Sequence, residues 1–204
     1  MEQLYVSKKN ETVRMFKSDF MEFFSHIHPA TPLVIYLPAI AYMLYVAIWQ
    51  HHLSVLLIVA LFFIGVLLWT LLEYLIHREV FHYEPTTRIG KKLHFIMHGV
   101  HHDYPNDAKR LVMPPVISIP LAIFFYALFV LIFGSIVGPA IWAGLVAGYV
   151  CYDSIHYAIH HFPMKSRWLN RLKQHHLRHH FHDDQAGYGV SSPFWDYIFR
   201  TIGR

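Results

Sequence analysis

Thiol chemistry is nearly missing from this chain: one cysteine, Cys151, stands among 204 residues. That excludes an intramolecular disulfide framework and any multi-cysteine zinc or iron–sulfur site. Its place inside an apolar run reads as that of a buried small hydrophobe. Charge is scarce as well: 15% of residues are charged against 55% hydrophobic, and mean hydropathy is positive, outside the usual range of soluble domains. A membrane protein is expected. The segment before Thr31 lacks the apolar core and small-residue cleavage site of a signal peptide, so no removal is expected. Repeats and low-complexity tracts are absent too, and residues 1–204 read as a single domain.

What the chain does have is four apolar runs of membrane-spanning length. A hydrocarbon core of roughly 30 Å takes about 20 apolar helical residues, and residues 31–49, 53–77, 116–138 and 139–159 supply them. Pro32 and Pro38 predict a kink early in the first, and Pro139 is expected to open the fourth. Short hairpins would pair the first helix with the second and the third with the fourth. All 17 Lys and Arg lie before Thr31, between Arg78 and Pro115, or after His161, and the hairpin tips contain none. By the excess of basic residues in cytoplasmic loops, both termini and the central loop face the cytosol. The net charge of +4 then reflects topology and anionic lipid head groups, with no nucleic-acid partner expected.

Histidine is the other abundance, with 18 in the chain. His26, His28, His51 and His52 read as interfacial polar residues. The other fourteen fall at or beyond the cytosolic helix ends in four groups: "HREVFH" (His77, His82), "HFIMHGVHH" (His94, His98, His101, His102), "HYAIHH" (His156, His160, His161) and "HHLRHHFH" (His175, His176, His179, His180, His182). Residues three and four apart share a helix face. His98 with His101 and His102, His156 with His160, and His176 with His179 and His180 can therefore each converge on one point. His77 and His82, five apart, do so only if the second span ends or bends between them, near the charged Arg78 and Glu79. These ten imidazoles are too many for one metal and about right for two.

A lone interfacial histidine more often caps a helix than binds an ion. Four clusters gathered on one face without metal, however, would leave many donors and acceptors unsatisfied and would accumulate charge near neutral pH. Neutral imidazole suits iron, zinc, copper or nickel. A nitrogen-rich, thiolate-free site within reach of a lipid chain suits iron that activates dioxygen against an apolar C–H bond, unlike the Glu and Glu-x-x-His sets of soluble di-iron bundles. Zinc binds nitrogen sites more tightly than ferrous iron, so isolated protein could carry zinc. Glu73, Asp153 and Asp183 lie near the clusters, where each could hold the outer N–H of a ligand histidine. For Glu73 and Asp153, a plain structural hydrogen bond or ion pair is an equal alternative.

On "EYLIHREVFH", "LHFIMHGVHHDYPNDAKRLVMPP", "GYVCYDSIHYAIHH" and "GYGVSSPFWDYIF", the chain resembles the fatty acid hydroxylase and sterol desaturase superfamily of membrane non-haem di-metal enzymes. Within it, the resemblance is closest to fatty acid 2-hydroxylases of sphingolipid acyl chains, and it runs from about Phe16 to the C-terminus. It implies an all-α integral membrane fold with a helical cytosolic cap over the bilayer. It also implies two iron ions held by His77, His82, His98, His101, His102, His156, His160, His176, His179 and His180. His94, His161, His175 and His182 are left for supporting roles. The implied reaction inserts one oxygen atom of dioxygen at carbon 2 of a long acyl chain, free or in a ceramide, and releases the other as water. Many eukaryotic members add a b-type cytochrome domain with an HPGG motif, which "HPAT" at His28 does not match. Electrons, ultimately from NAD(P)H, are therefore expected from a separate small cytochrome, or a ferredoxin with its reductase. The setting would be the endoplasmic reticulum in a eukaryote or the inner membrane in a bacterium. Phe194, Trp195 and Tyr197 either line an acyl entrance or anchor the chain at the interface. The rival readings are the same chemistry on a sterol, carotenoid or alkyl chain, desaturation included, and a non-redox metal-binding membrane protein.

Overall fold

The computed structural model describes residues 6–7 and 9–203, and among these it contains helices and connecting segments but no strand. A short α1 (Asp19–Phe23) precedes α2 (Thr31–Tyr45), which runs through Pro38 and continues as a π-helical turn over Val46–Gln50. Helix α3 (Val55–Leu75) begins where the Leu57 N–H donates to Ser54 Oγ at 3.3 Å, an N-cap that leaves Leu53 outside the helix. At its far end α3 passes into a second π-helical turn, Ile76–Phe81. Then come α4 (Arg88–His94), a third π-helical turn (Phe95–Gly99), α5 (Val100–Asp103), α6 (Pro115–His161), α7 (Arg167–Phe181) and α8 (Phe194–Phe199).

Among the described residues, three stretches are long and apolar enough to cross a membrane: Thr31–Gln50, Val55–Phe81 and Pro115–His161. The last has 47 residues, about 70 Å if straight, more than twice a hydrocarbon core of roughly 30 Å. It is not straight. Gly134 sits at φ 84°, ψ 164°, a backbone region that favours glycine, and the run folds back there. The Trp142 indole N–H donates to the Ala122 carbonyl at 2.7 Å, and the Tyr126 and Trp142 rings lie 5.8 Å apart. The expected boundary between residues 138 and 139 therefore moves to Gly134. Pro139 lies five residues beyond it, inside the second arm, and the helix runs on through it.

The expected pairing of neighbours in sequence is also only half met, because α2 and α3 pack chiefly against α6 and not against each other. Small residues permit this. A Cβ at Gly144 would fall 1.9 Å from the Phe62 carbonyl oxygen, and one at Gly65 would fall 2.0 Å from that of Ile141. Bare backbones thus touch where α3 crosses the second arm, as in small-residue crossings of membrane helices. Tyr36, Trp69 and Tyr149 close the core above this crossing, with ring centroids 5.4 and 5.3 Å from Tyr149. Large apolar residues such as Leu56 and Leu131 stay over 80% exposed, as lipid-facing positions must. Cys151 is on that exposed side as well, a correction to its reading as buried: on the helix it points away from the α6 core face.

Candidate metal centre

The π-helical turns answer the spacing problem at His77 and His82. The His82 N–H donates to the His77 carbonyl at 3.2 Å, an i→i+5 bond that widens the turn and brings residues five apart onto one side. The two rings are 5.1 Å apart. Another π-helical turn delivers His98, and α5 carries His101 and His102. The end of the second α6 arm presents His156 and His160, and α7 presents His176, His179 and His180.

These ten histidines form two groups, each with one nitrogen per residue and all such nitrogens within 4.8 Å of one another. One holds His77, His82, His98, His102 and His179, and the other holds His101, His156, His160, His176 and His180. The structure thus splits each HxxHH motif instead of sending it to a single point. The i,i+4 pair of each motif goes to one group and the remaining histidine crosses to the other. This exchange interlocks the groups: the His102 and His180 rings stack with centroids 4.3 Å apart, although they belong to different groups.

Burial keeps this cluster uncharged. Seven of the ten are buried. Desolvation first, and then repulsion by neighbouring imidazoles, holds His98, His101, His176 and His180 well below the ordinary histidine range. The same causes lower His82 to about 3 and His102 to about 2. Neutral imidazole is the form that ligates metal. The Nε2 atoms of His82, His101 and His179 are buried without a hydrogen-bond partner, and His98 Nε2 lies 3.1 and 2.9 Å from those of His77 and His102. Lone pairs crowded on a common point are costly unless a cation receives them. With metal–nitrogen bonds of about 2.0–2.1 Å, opposite ligands stand about 4.2 Å apart, in keeping with one ion per group. The residues present fit a pair of nitrogen-ligated metals.

Support for these histidines comes from backbone more than from the acids expected to give it. His77 Nδ1 is 2.6 Å from the Tyr188 carbonyl oxygen and His179 Nδ1 is 2.8 Å from that of Ala186. Glu73 reaches the same loop and not a histidine: its carboxylate accepts from the Val190 and Ser191 N–H groups at 2.8 and 2.7 Å and from the Ser191 hydroxyl. Asp196, which the sequence alone did not single out, anchors the loop from the other side. It accepts from the Tyr188 and Gly189 N–H groups at 2.9 and 2.8 Å, from Thr201 Oγ1 at 2.8 Å and from His175 Nε2 at 3.1 Å. Its one sequence signal was an acid inside the aromatic run "FWDYIF".

The other proposed supporting residues scatter. Asp153 is buried three residues before His156, yet its Oδ2 and both His156 ring nitrogens have no hydrogen-bond partner. Asp183 is exposed and accepts from the Gln185 N–H, because the chain turns away after α7. His161 stacks on Tyr157 at 4.4 Å, and His182 is exposed just past α7. His94 lines a small cavity of about 160 Å³ that also touches His82, His98 and His102.

A larger cavity of about 690 Å³, mostly apolar, runs up to His98, His101 and His156. Its walls come partly from Met15, Phe16, Phe20 and Phe24 near the N-terminus, a contribution that local sequence could not reveal. Arg110 fixes that segment, bonding Glu22 at 2.5 Å, the Val13 carbonyl at 2.6 Å and Ser25 at 2.8 Å. Phe194, Trp195 and Tyr197 do not line this cavity. Phe194 and Tyr197 are exposed, and the Trp195 indole donates to Thr70 at 3.1 Å.

The profile of the fatty acid hydroxylase family matches residues 62–201. A fatty acid 2-hydroxylase of Rattus norvegicus is 37% identical over an aligned length of 210 positions, which covers 93% of this chain and 56% of that protein. A dihydroceramide fatty acyl 2-hydroxylase of Arabidopsis thaliana is 39% identical over 195 residues, covering 94% and 81%. A solved structure of full-length Scs7p, in which only the hydroxylase domain is visible, superposes with a TM-score of 0.84 at 38% identity, covering 90% of this chain and 69% of that one. The chain spans a little over half the length of the rat protein it matches. Taken with the paired histidine groups at the end of an apolar cavity, these matches place the chain: it belongs to the fatty acid hydroxylase family.

Proposed function

We propose that this membrane protein hydroxylates carbon 2 of long fatty acyl chains, free or amide-linked in a ceramide, with dioxygen and electrons from a separate donor protein. The observation that carries this reading is the meeting of an apolar cavity of about 690 Å³ with both histidine groups, at His98, His101 and His156. The similar proteins named above act on fatty acyl chains and dihydroceramide. His77, His82, His98, His102 and His179 would hold one iron, and His101, His156, His160, His176 and His180 the other. When bound, the metals supply the activation of dioxygen that no side chain here provides. The chain's own part is to hold those ligands neutral, exclude water with apolar walls and aim the acyl chain. Reaction next to the acyl carbonyl requires the substrate's polar end to lie close to the histidines. Asp153, buried in the cavity wall with a free carboxylate oxygen, is positioned to accept from an amide N–H or hydroxyl there.

Four membrane passes, formed by α2, α3 and the two arms of α6, put the histidines on the side that carries the basic segments, the cytosol. A separate small cytochrome, or a ferredoxin with its reductase, would reach the centre from there. Lipid mass spectrometry of cells with and without the protein tests the reading. Expression should add 2-hydroxy acyl chains, while unchanged acyl chains beside an altered sterol profile would refute it.

A further inference from the structure

The two histidine groups are not held alike. In the first, a carbonyl oxygen faces Nδ1 of His77 at 2.6 Å and of His179 at 2.8 Å. A carbonyl can only accept, so both Nδ1 atoms carry the proton and both Nε2 lone pairs are committed to the centre. In the second group, Nδ1 of His156, His160, His176 and His180 is buried with no hydrogen-bond partner. No such acceptor fixes their tautomer or orientation.

Both carbonyls of the first group belong to one loop, residues 186–191, which two buried acids grip from opposite sides. Glu73 takes the Val190 and Ser191 N–H groups, and Asp196 takes those of Tyr188 and Gly189. Glycine is needed for this grip, since a Cβ at Gly189 would fall 2.8 Å from Asp196 Oδ2 and 2.1 Å from the Ser192 carbonyl oxygen. Outer hydrogen bonds to ligand histidines typically change metal affinity about 10–100-fold.

We propose that the two metal sites are unequal: the His77, His82, His98, His102, His179 site binds metal more tightly, and Glu73 and Asp196 are positioning residues that set its affinity through the 186–191 loop. This rests on the two-metal reading above. The test is stepwise titration of metal-free protein with cobalt(II) alone, followed by visible absorption and by elemental analysis of metal per chain. Wild type should fill in two steps separated by about 10-fold or more. His179→Ala should remove the tight step and His180→Ala the weak one, although the two residues are adjacent on α7. Glu73→Gln and Asp196→Asn should each weaken the tight step and leave the weak step in place, whereas a merely structural loss would weaken both together. Ser191→Ala, a milder change in the same grip, should do the same to a smaller degree and covers the case in which the acid variants do not fold. Two equal steps in wild type, or equal weakening of both steps by these variants, would overturn the inequality while leaving two metals standing. Fewer than two cobalt ions per folded wild-type chain would overturn both readings.

Discussion

His101 and His102 are neighbours in sequence and serve different groups, as do His179 and His180. Which histidines cluster was legible from their spacing, but how they divide was not, because the division depends on how α3, α5, α6 and α7 meet. Replacing His98 or His179 by Ala should abolish acyl hydroxylation and lower the metal content, whereas His51→Ala, at the opposite hairpin tip, should leave both unchanged. Equal loss from all three, measured as product per chain, would undo the ligand assignment. Acid should also undo the centre. His82 and His102 are lowered to about 3 and about 2, from about 6.5 in an unfolded chain. As pH falls, the unfolded state therefore takes up protons first. The stability tied to their neutral form is complete above about pH 6.5 and is lost progressively as pH falls toward about 2. Thermal melts of chelated protein should show Tm falling below about pH 6.5, and a Tm that rises on acidification would contradict the burial argument.

The π-helical turn at Ile76–Phe81 and the reversal at Gly134 are the elements that sequence patterns described least well. An ideal helix sets His77 and His82 on different faces, and nothing in "HREVFH" announces the i→i+5 bond that unites them. Pro139 is a louder breaker signal than Gly134, yet the helix runs through the proline and the chain reverses at the glycine, which takes φ 84°. The 186–191 loop was legible as a motif and not as a device, since Glu73 meets Ser191 across 118 positions. The crossing of α3 with the second α6 arm is tight enough to test. Gly144→Leu would place a Cβ 1.9 Å from the Phe62 carbonyl oxygen, forcing the backbones apart at a cost of about 1–3 kcal/mol or more. Thermal unfolding in detergent should show a clear drop, with loss of hydroxylation, and an unchanged Tm would mean that the helices do not meet there.

At the scale of the whole molecule, the ten grouped histidines collect at one end of the apolar helices, and the Lys and Arg lie in segments attached to that same end. This much followed from composition and spacing. The apolar cavity did not, because its walls join residues near the N-terminus to α3, α5 and α6. The four-pass topology proposed above predicts that in a Cys151→Ser background, single cysteines placed at Ser54 and at Thr201 react with an impermeant thiol reagent from opposite sides of sealed vesicles. Labelling of both from one side would overturn the four-pass arrangement. The central claim, that the paired groups insert an atom of dioxygen next to the acyl carbonyl, is tested most directly by expression under heavy-isotope dioxygen with mass spectrometry of the acyl chains. The prediction is one heavy oxygen at carbon 2, present with the wild-type chain and absent with His98→Ala. A hydroxyl carrying oxygen from water, or one placed away from carbon 2, would contradict it.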